Sequence, residues 1–172
     1  NTVDRREKFR YFVEEVLKEY GNIDMVNSLV ERFTMLTQEA IIECPWVDGA
    51  LEFLSYFKAK IPIYLVSATP QLELDEITSK RGINNVFKRC FGSPLNKVEV
   101  LKSITDTEKV TSQEILYIGD SPEDQQAAEA LKMNFMGIDS DRGLKSKNIF
   151  TNFHYLQNCP LTYNFCLQLI PI

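Results

Sequence analysis

The sequence predicts an α/β protein, with a parallel sheet covered by helices on both faces to make a three-layer core, preceded by a helical appendage. Three observations predict it. The first 43 residues carry helical periodicity and no strand pattern; after Pro45 short apolar runs alternate with helical segments; and 44% apolar with 25% charged residues is a globular balance. A length of 172 residues suits one core with a small appendage.

Phe9, Phe12, Val13, Val16, Leu17 and Tyr20 recur at three- and four-residue steps and predict one amphipathic helix, stopped by Gly21. A second helix is predicted from about Asp24 to Ile42, with Met25, Leu29, Phe33, Leu36, Ala40 and Ile41 on one side. The boundary falls at Cys44-Pro45, separating a helical piece (1–44) from an α/β core (45–172). In the core, Val47 to Phe57 reads as a helix. Ile61 to Val66 is a nearly continuous apolar run, as in a strand buried on both faces. Leu72 to Lys80 reads as a helix capped by Gly82, Phe87 to Phe91 as a brief strand, and Asn96 to Ile104 as a helix. Ile115 to Ile118 is a second clear strand, followed by a helix with Pro122 at its first position and Ser121 or Asp120 as its cap. Asn134 to Ile138 is a third strand. Such alternation implies right-handed βαβ units. The apolar tail from Asn158 to Ile172, with two prolines, receives no assignment.

Several functions are excluded early. No apolar run approaches the ~18 residues of a membrane span, and NTVDRREKFR has no signal-like apolar region, so a cytoplasmic chain without membrane contact is expected. Nineteen basic against 24 acidic residues give net charge −5, which repels nucleic acid. Cys44, Cys90, Cys159 and Cys166 form no CxxC pair and read as buried, reduced thiols. His154 is the sole histidine, in an aromatic stretch where a packed or surface role is expected.

Ligands of open parallel sheets gather beyond the carboxyl ends of strands. Ser67-Ala68-Thr69-Pro70 follows one strand and opens a helix, offering a hydroxyl and backbone N–H groups to an anion. Gly119-Asp120-Ser121-Pro122-Glu123-Asp124 follows another, where two carboxylates four apart suit Mg²⁺. Ser93-Pro94-Leu95-Asn96-Lys97 puts a lysine at a helix start, against the dipole's preference, which suggests that it answers to an anion. Taken singly, each has a plain structural reading as a cap, a first-turn carboxylate or a solvated lysine. Their order and placement carry more.

IPIYLVSATP, GSPLNKVEVLKSI and ILYIGDSPEDQQAAEALKMNFMGI resemble the second, third and fourth motifs of the haloacid dehalogenase (HAD) superfamily, phosphoglycolate-phosphatase-like branch, over about Pro45 to Ile138. CPWVDGALEFL resembles the segment by which such chains re-enter the core from a helical cap, and the first two helices would be part of that cap. The resemblance implies a Rossmann-like core and an Mg²⁺-dependent phosphomonoester hydrolase acting on a small phosphorylated metabolite through an aspartyl-phosphate. It implies that Ser67, with Thr69 as an alternative, bonds the phosphoryl oxygen beside Ala68. Lys97 would neutralise charge, Asp120 bind Mg²⁺, and Asp124 either ligate it or orient a bound water. Arg5 and Lys8, on one face of the first helix, are candidates to reach a substrate anion from the cap, although a solvated basic face is the plainer reading. A sugar-phosphate mutase, a phosphonatase and an inactive phosphate-binding relative share these motifs. Neither substrate identity nor oligomeric state has a signature in the sequence.

One element of the pattern is missing. The superfamily's nucleophile is the first aspartate of an Asp-x-Asp pair after a strand lying centrally, between those corresponding to Ile61–Val66 and Ile115–Ile118. No Asp-x-Asp follows an apolar strand in that way; Asp139-Ser140-Asp141 has the spacing but looks like a loop. An empty central place would leave two strand edges unpaired, at about 1–3 kcal/mol per unsatisfied backbone group. Two expectations follow: that strand and nucleophile lie upstream of the given residues, or the two flanking strands close directly on each other.

Overall fold

The computed structural model describes residues 4–138, 149–150, 153 and 164–167. The chain divides into two units, residues 1–43 and residues 44–171.

In the first unit, helix α1 (Arg5–Tyr11) runs into a π-helical turn (Phe12–Val16), and α2 spans Ile23–Glu43. The first helix therefore ends sooner than its apolar spacing predicts. Lys18 takes a left-handed φ of 60° three residues before Gly21 (φ 73°) does so, and the helical backbone cannot continue through it. Phe9 meets Phe33 edge-on at 5.6 Å, and Arg6 donates to Asn27 Oδ1 at 2.8 Å. Much of the pair's apolar surface stays exposed, including Val16, Tyr20, Met35 and Leu36.

The second unit begins with α3 (Ala50–Phe57), then β1 (Ile63–Pro70), α4 (Gln71–Lys80) and β2 (Arg89–Ser93). It continues through α5 (Lys97–Glu108), β3 (Ile115–Gly119), α6 (Pro122–Ala130) and β4 (Asn134–Ile138), with short strands β5 (Ile149–Phe150) and β6 (Asn164–Leu167). Every predicted helix and strand of the core is present within a few residues. The sheet order is β2-β1-β6-β3-β4-β5, with every pairing parallel. This is the three-layer α/β architecture the sequence predicts.

The centre of the sheet differs from the expectation that the two flanking strands close directly on each other. β1 and β3 neither stand apart nor close on each other, because β6 from the unassigned tail lies between them. Leu65 and Ile118 both pair with Leu167, while Tyr64 and Tyr117 both pair with Cys166. Both edges that an empty place would expose thus find hydrogen-bonding partners. The core described as lacking its central strand has that place filled, although Asn164-Phe-Cys-Leu167 carries no carboxylate.

Side chains alternate across the sheet, so Tyr64, Val66, Ile115 and Tyr117 share a face. They pack with Leu101 and Ile104 of α5 and Ala127 and Ala128 of α6. A second apolar set is aromatic: Phe53 lies 4.8 Å from Phe57 and 5.2 Å from Phe153 between ring centroids. Among the described residues no helix is long and apolar enough to cross a membrane. Asp139 to Asp141, His154 and Cys159 fall outside the described residues.

Candidate functional site

Strand register brings the first two candidates level. Leu65 of β1 and Ile118 of β3 are in step through Leu167, so two residues further on Ser67 and Asp120 reach the same height at the carboxyl end of the sheet. Only β6 separates their strands, two inter-strand spacings or about 10 Å. Ser67 and Asp120 are both buried, as are both carboxylate oxygens of Asp120.

The Ser67 segment differs locally from its sequence reading. β1 runs on to Pro70, with its register against β2 shifting between Val66 and Pro70, and α4 starts only at Gln71. Ser67 therefore does not cap a helix. Its Oγ donates to Thr69 Oγ1 at 3.0 Å and accepts from Thr69 N–H at 3.2 Å, while Ala68 between them is exposed. This small turn of two hydroxyls is held tightly against β2. A Cβ on Gly92 would lie 2.6 Å from Gln71 Cα and 2.8 Å from the Thr69 carbonyl oxygen. Gln71 Oε1 also accepts from Gly92 N–H, at 2.6 Å.

Lys97 is the first residue of α5, capped by Asn96, whose side chain accepts from Val98 and Glu99 N–H. Its Nζ donates to Asp124 Oδ1 at 2.6 Å, and its side chain keeps only 16% of its surface in water. The cation that opposes the helix dipole is thus answered by a buried carboxylate of the same chain.

Asp124 is the hub. Its Oδ1 accepts from Lys97 and from the Tyr117 hydroxyl (2.7 Å); its Oδ2 accepts from Ser121 N–H (3.1 Å) and Ser121 Oγ (2.6 Å). Ser121 caps α6 in return by accepting from Asp124 N–H at 3.2 Å, a reciprocal capping box. Asp124 thus takes four donors on its two oxygens. Gly119 permits this: a Cβ there would lie 2.5 Å from Asp124 Cβ and 2.8 Å from its Cγ.

Asp120 suits a divalent ion by donor chemistry, since Mg²⁺ takes one or two carboxylates and completes its octahedron with water and substrate oxygens. Among the described residues no group of three His, Cys, Asp or Glu side chains forms an all-protein cage. Arg5 belongs to the helical unit, where its Nη1 donates to Thr34 Oγ1 at 2.6 Å and its guanidinium sits 5.0 Å from the Phe33 ring centre. It is a contact between α1 and α2. The Cys90 thiol is pushed up to about 11 by burial and by the nearby Asp75 charge, in keeping with an inert thiol. A cavity of about 430 Å³ lined by Lys60, Ile61, Phe87 and Lys88 opens beside the first residues of β1, and none of the candidate residues lines it.

A family model described as haloacid dehalogenase-like hydrolase matches residues 4–138. The chain belongs to that family. The fold agrees. A predicted phosphoglycolate phosphatase from Haemophilus somnus 129PT superposes with TM-score 0.71 at 17% identity, over 88% of this chain and 74% of that one. A HAD hydrolase, YfnB of Bacillus subtilis bound to magnesium, gives 0.70 at 18% identity, over 91% and 72%. A β-phosphoglucomutase-like protein of Thermotoga maritima gives 0.62 at 17%, over 96% and 74%. No curated protein matches.

Two residues that matter here were not singled out by sequence reasoning. Gly119 was visible in the GDSPED stretch without its reason, which is the approach of Asp124. Tyr117 had one signal: a hydroxyl inside a strand expected to be buried on both faces must find a partner.

Proposed function

We propose that this HAD-family chain forms the phosphate- and Mg²⁺-binding part of a phosphomonoester hydrolase acting on a small phosphorylated metabolite. The observation that supports it most is the Lys97–Asp124 pair of 2.6 Å, one loop from the buried Asp120 and on the end of the sheet that Ser67 reaches. Ser67, with Thr69 and the exposed Ala68 backbone, donates to phosphoryl oxygens. Lys97 supplies fixed positive charge, and Asp124 holds it in place. Asp120 is the direct Mg²⁺ ligand. Bound Mg²⁺ adds positive charge where phosphoryl oxygens gain negative charge, which is the main demand of phosphoryl transfer. The nucleophilic carboxylate is assigned to residues beyond these 172, since neither β6 nor Gln168 to Ile172 contains one. A sugar-phosphate mutase uses the same set.

The acid-free central strand favours a second reading, a phosphate-binding protein without turnover. Calorimetric titration of the full chain with Mg²⁺ tests the shared part: Asp120→Asn should weaken Mg²⁺ binding at least tenfold, and unchanged affinity removes the metal assignment. Mg²⁺-dependent hydrolysis of an aryl phosphate by a longer form carrying an Asp-x-Asp strand separates the two readings.

A further inference from the structure

We infer that Tyr117 is a positioning residue of the candidate phosphate site, aiming Lys97 through the carboxylate oxygen they share; this deepens the proposed function and rests on it. The Tyr117 ring is fully buried among Val66, Leu101, Ile104 and Ala128, with Phe135 edge-on at 6.1 Å. A phenol hydroxyl carried into such surroundings must be hydrogen-bonded there. Its acceptor, Asp124 Oδ1, is the atom that takes Lys97 Nζ, so donors from β3 and α5 converge on one oxygen at 2.7 and 2.6 Å. Ser121 grips only Oδ2. With Ser121 alone the carboxylate keeps freedom to swing about that anchored oxygen, and the ammonium would follow it. The Tyr117 hydroxyl, fixed by a ring locked in the core, removes that freedom.

The test reads Lys97 directly and needs no turnover. In the full chain, Tyr117→Phe is compared with wild type by reductive methylation with formaldehyde, each lysine being followed by mass spectrometry, and by titration with inorganic phosphate and with Mg²⁺. The variant should methylate Lys97 at least threefold faster while exposed Lys102 is unchanged. It should bind phosphate about fivefold more weakly, the value of one modest hydrogen bond, and Mg²⁺ within twofold of wild type. Tyr64→Phe, which removes the part-buried hydroxyl of the other tyrosine in the same apolar cluster, should alter none of these. Asp124→Asn, which removes the charge both donors share, should raise Lys97 methylation at least as much. Unchanged or slower Lys97 methylation in Tyr117→Phe overturns the inference. So does a loss of phosphate and Mg²⁺ affinity in parallel with a lowered unfolding midpoint, the mark of a purely structural residue. Should wild type take up no phosphate, the phosphate-site reading fails, while Lys97 methylation still decides the role of Tyr117.

Discussion

Tyr64 on β1 and Tyr117 on β3 stand level on either side of β6, both in register with Cys166, and each gives its hydroxyl to a carboxylate that also holds a lysine. Tyr64 reaches Glu108, which takes Lys88 at 2.6 Å; Tyr117 reaches Asp124, which takes Lys97 at 2.6 Å. Helix α5 links the two sets, since Lys97 is its first residue and Glu108 its last. Each end thus bears the charge its dipole disfavours, at about 0.3–1 kcal/mol when exposed, and each is answered by an opposite charge. The sets differ in water. Lys88 keeps 53% of its side-chain surface exposed and Glu108 14%, against 16% for Lys97 and none for Asp124. The same three chemistries therefore give a solvent-screened clasp at one end of the helix and a buried, over-determined charge pair at the other. Only the second costs enough desolvation that removing one partner leaves a penalty behind.

Asp124→Ala should produce the largest effect. It strands a nearly buried ammonium and a buried phenol hydroxyl, and urea unfolding at neutral pH should show a loss of about 3–5 kcal/mol. Glu108→Ala, the matching cut, should cost about 0–1 kcal/mol because Lys88 returns to water. Similar losses at the two positions would abolish the distinction between clasp and site.

Gly119→Ala probes the buried set without touching its charges. The added methyl would sit 2.5 Å from Asp124 Cβ and 2.9 Å from Oδ2, so strand and carboxylate must part. The expected cost is about 1–3 kcal/mol by overpacking, together with faster methylation of Lys97. A variant as stable as wild type would mean that the contact relaxes freely.

The legible parts of the molecule were those whose signals are local. The apolar run Ile115–Ile118, Pro122 at the first turn of α6 and Ser121, one of its two cap candidates, are all nearest-neighbour chemistry, and each sits where its sequence placed it. The Lys97–Asp124 pair was not legible as a pair, because 27 residues separate its members and only the packing of α5 beside α6 brings them together. The first helix ran short because a lysine adopts the left-handed conformation three residues before the glycine does. The strand between β1 and β3 was the deepest miss. Asn164–Leu167 has four residues and no alternating pattern, and its place depends on the two long-range parallel pairings that it completes. A stretch of four residues fits a strand or a buried helix turn equally well on periodicity alone, and only tertiary pairing arbitrates.

The smallest effect lies in the pH dependence of the exposed clasp. Glu108's carboxyl is held below its ordinary value of 4.5, first by the hydrogen bond from Lys88 and then by that from Tyr64. A folded-state pKa below the unfolded one means that the unfolded chain binds the proton more readily. The clasp's contribution is therefore present in full above the unfolded value, and it declines as pH falls through the folded one. Screening at the half-exposed Lys88 keeps the total under about 1 kcal/mol. The difference in unfolding free energy between wild type and Glu108→Gln should accordingly be constant near neutrality and shrink below about pH 4.5, and added salt should shrink it at every pH. A difference that stays level down to pH 3, or that ignores salt, would show that Glu108 acts by packing, and the two ends of α5 would then differ in kind rather than in exposure.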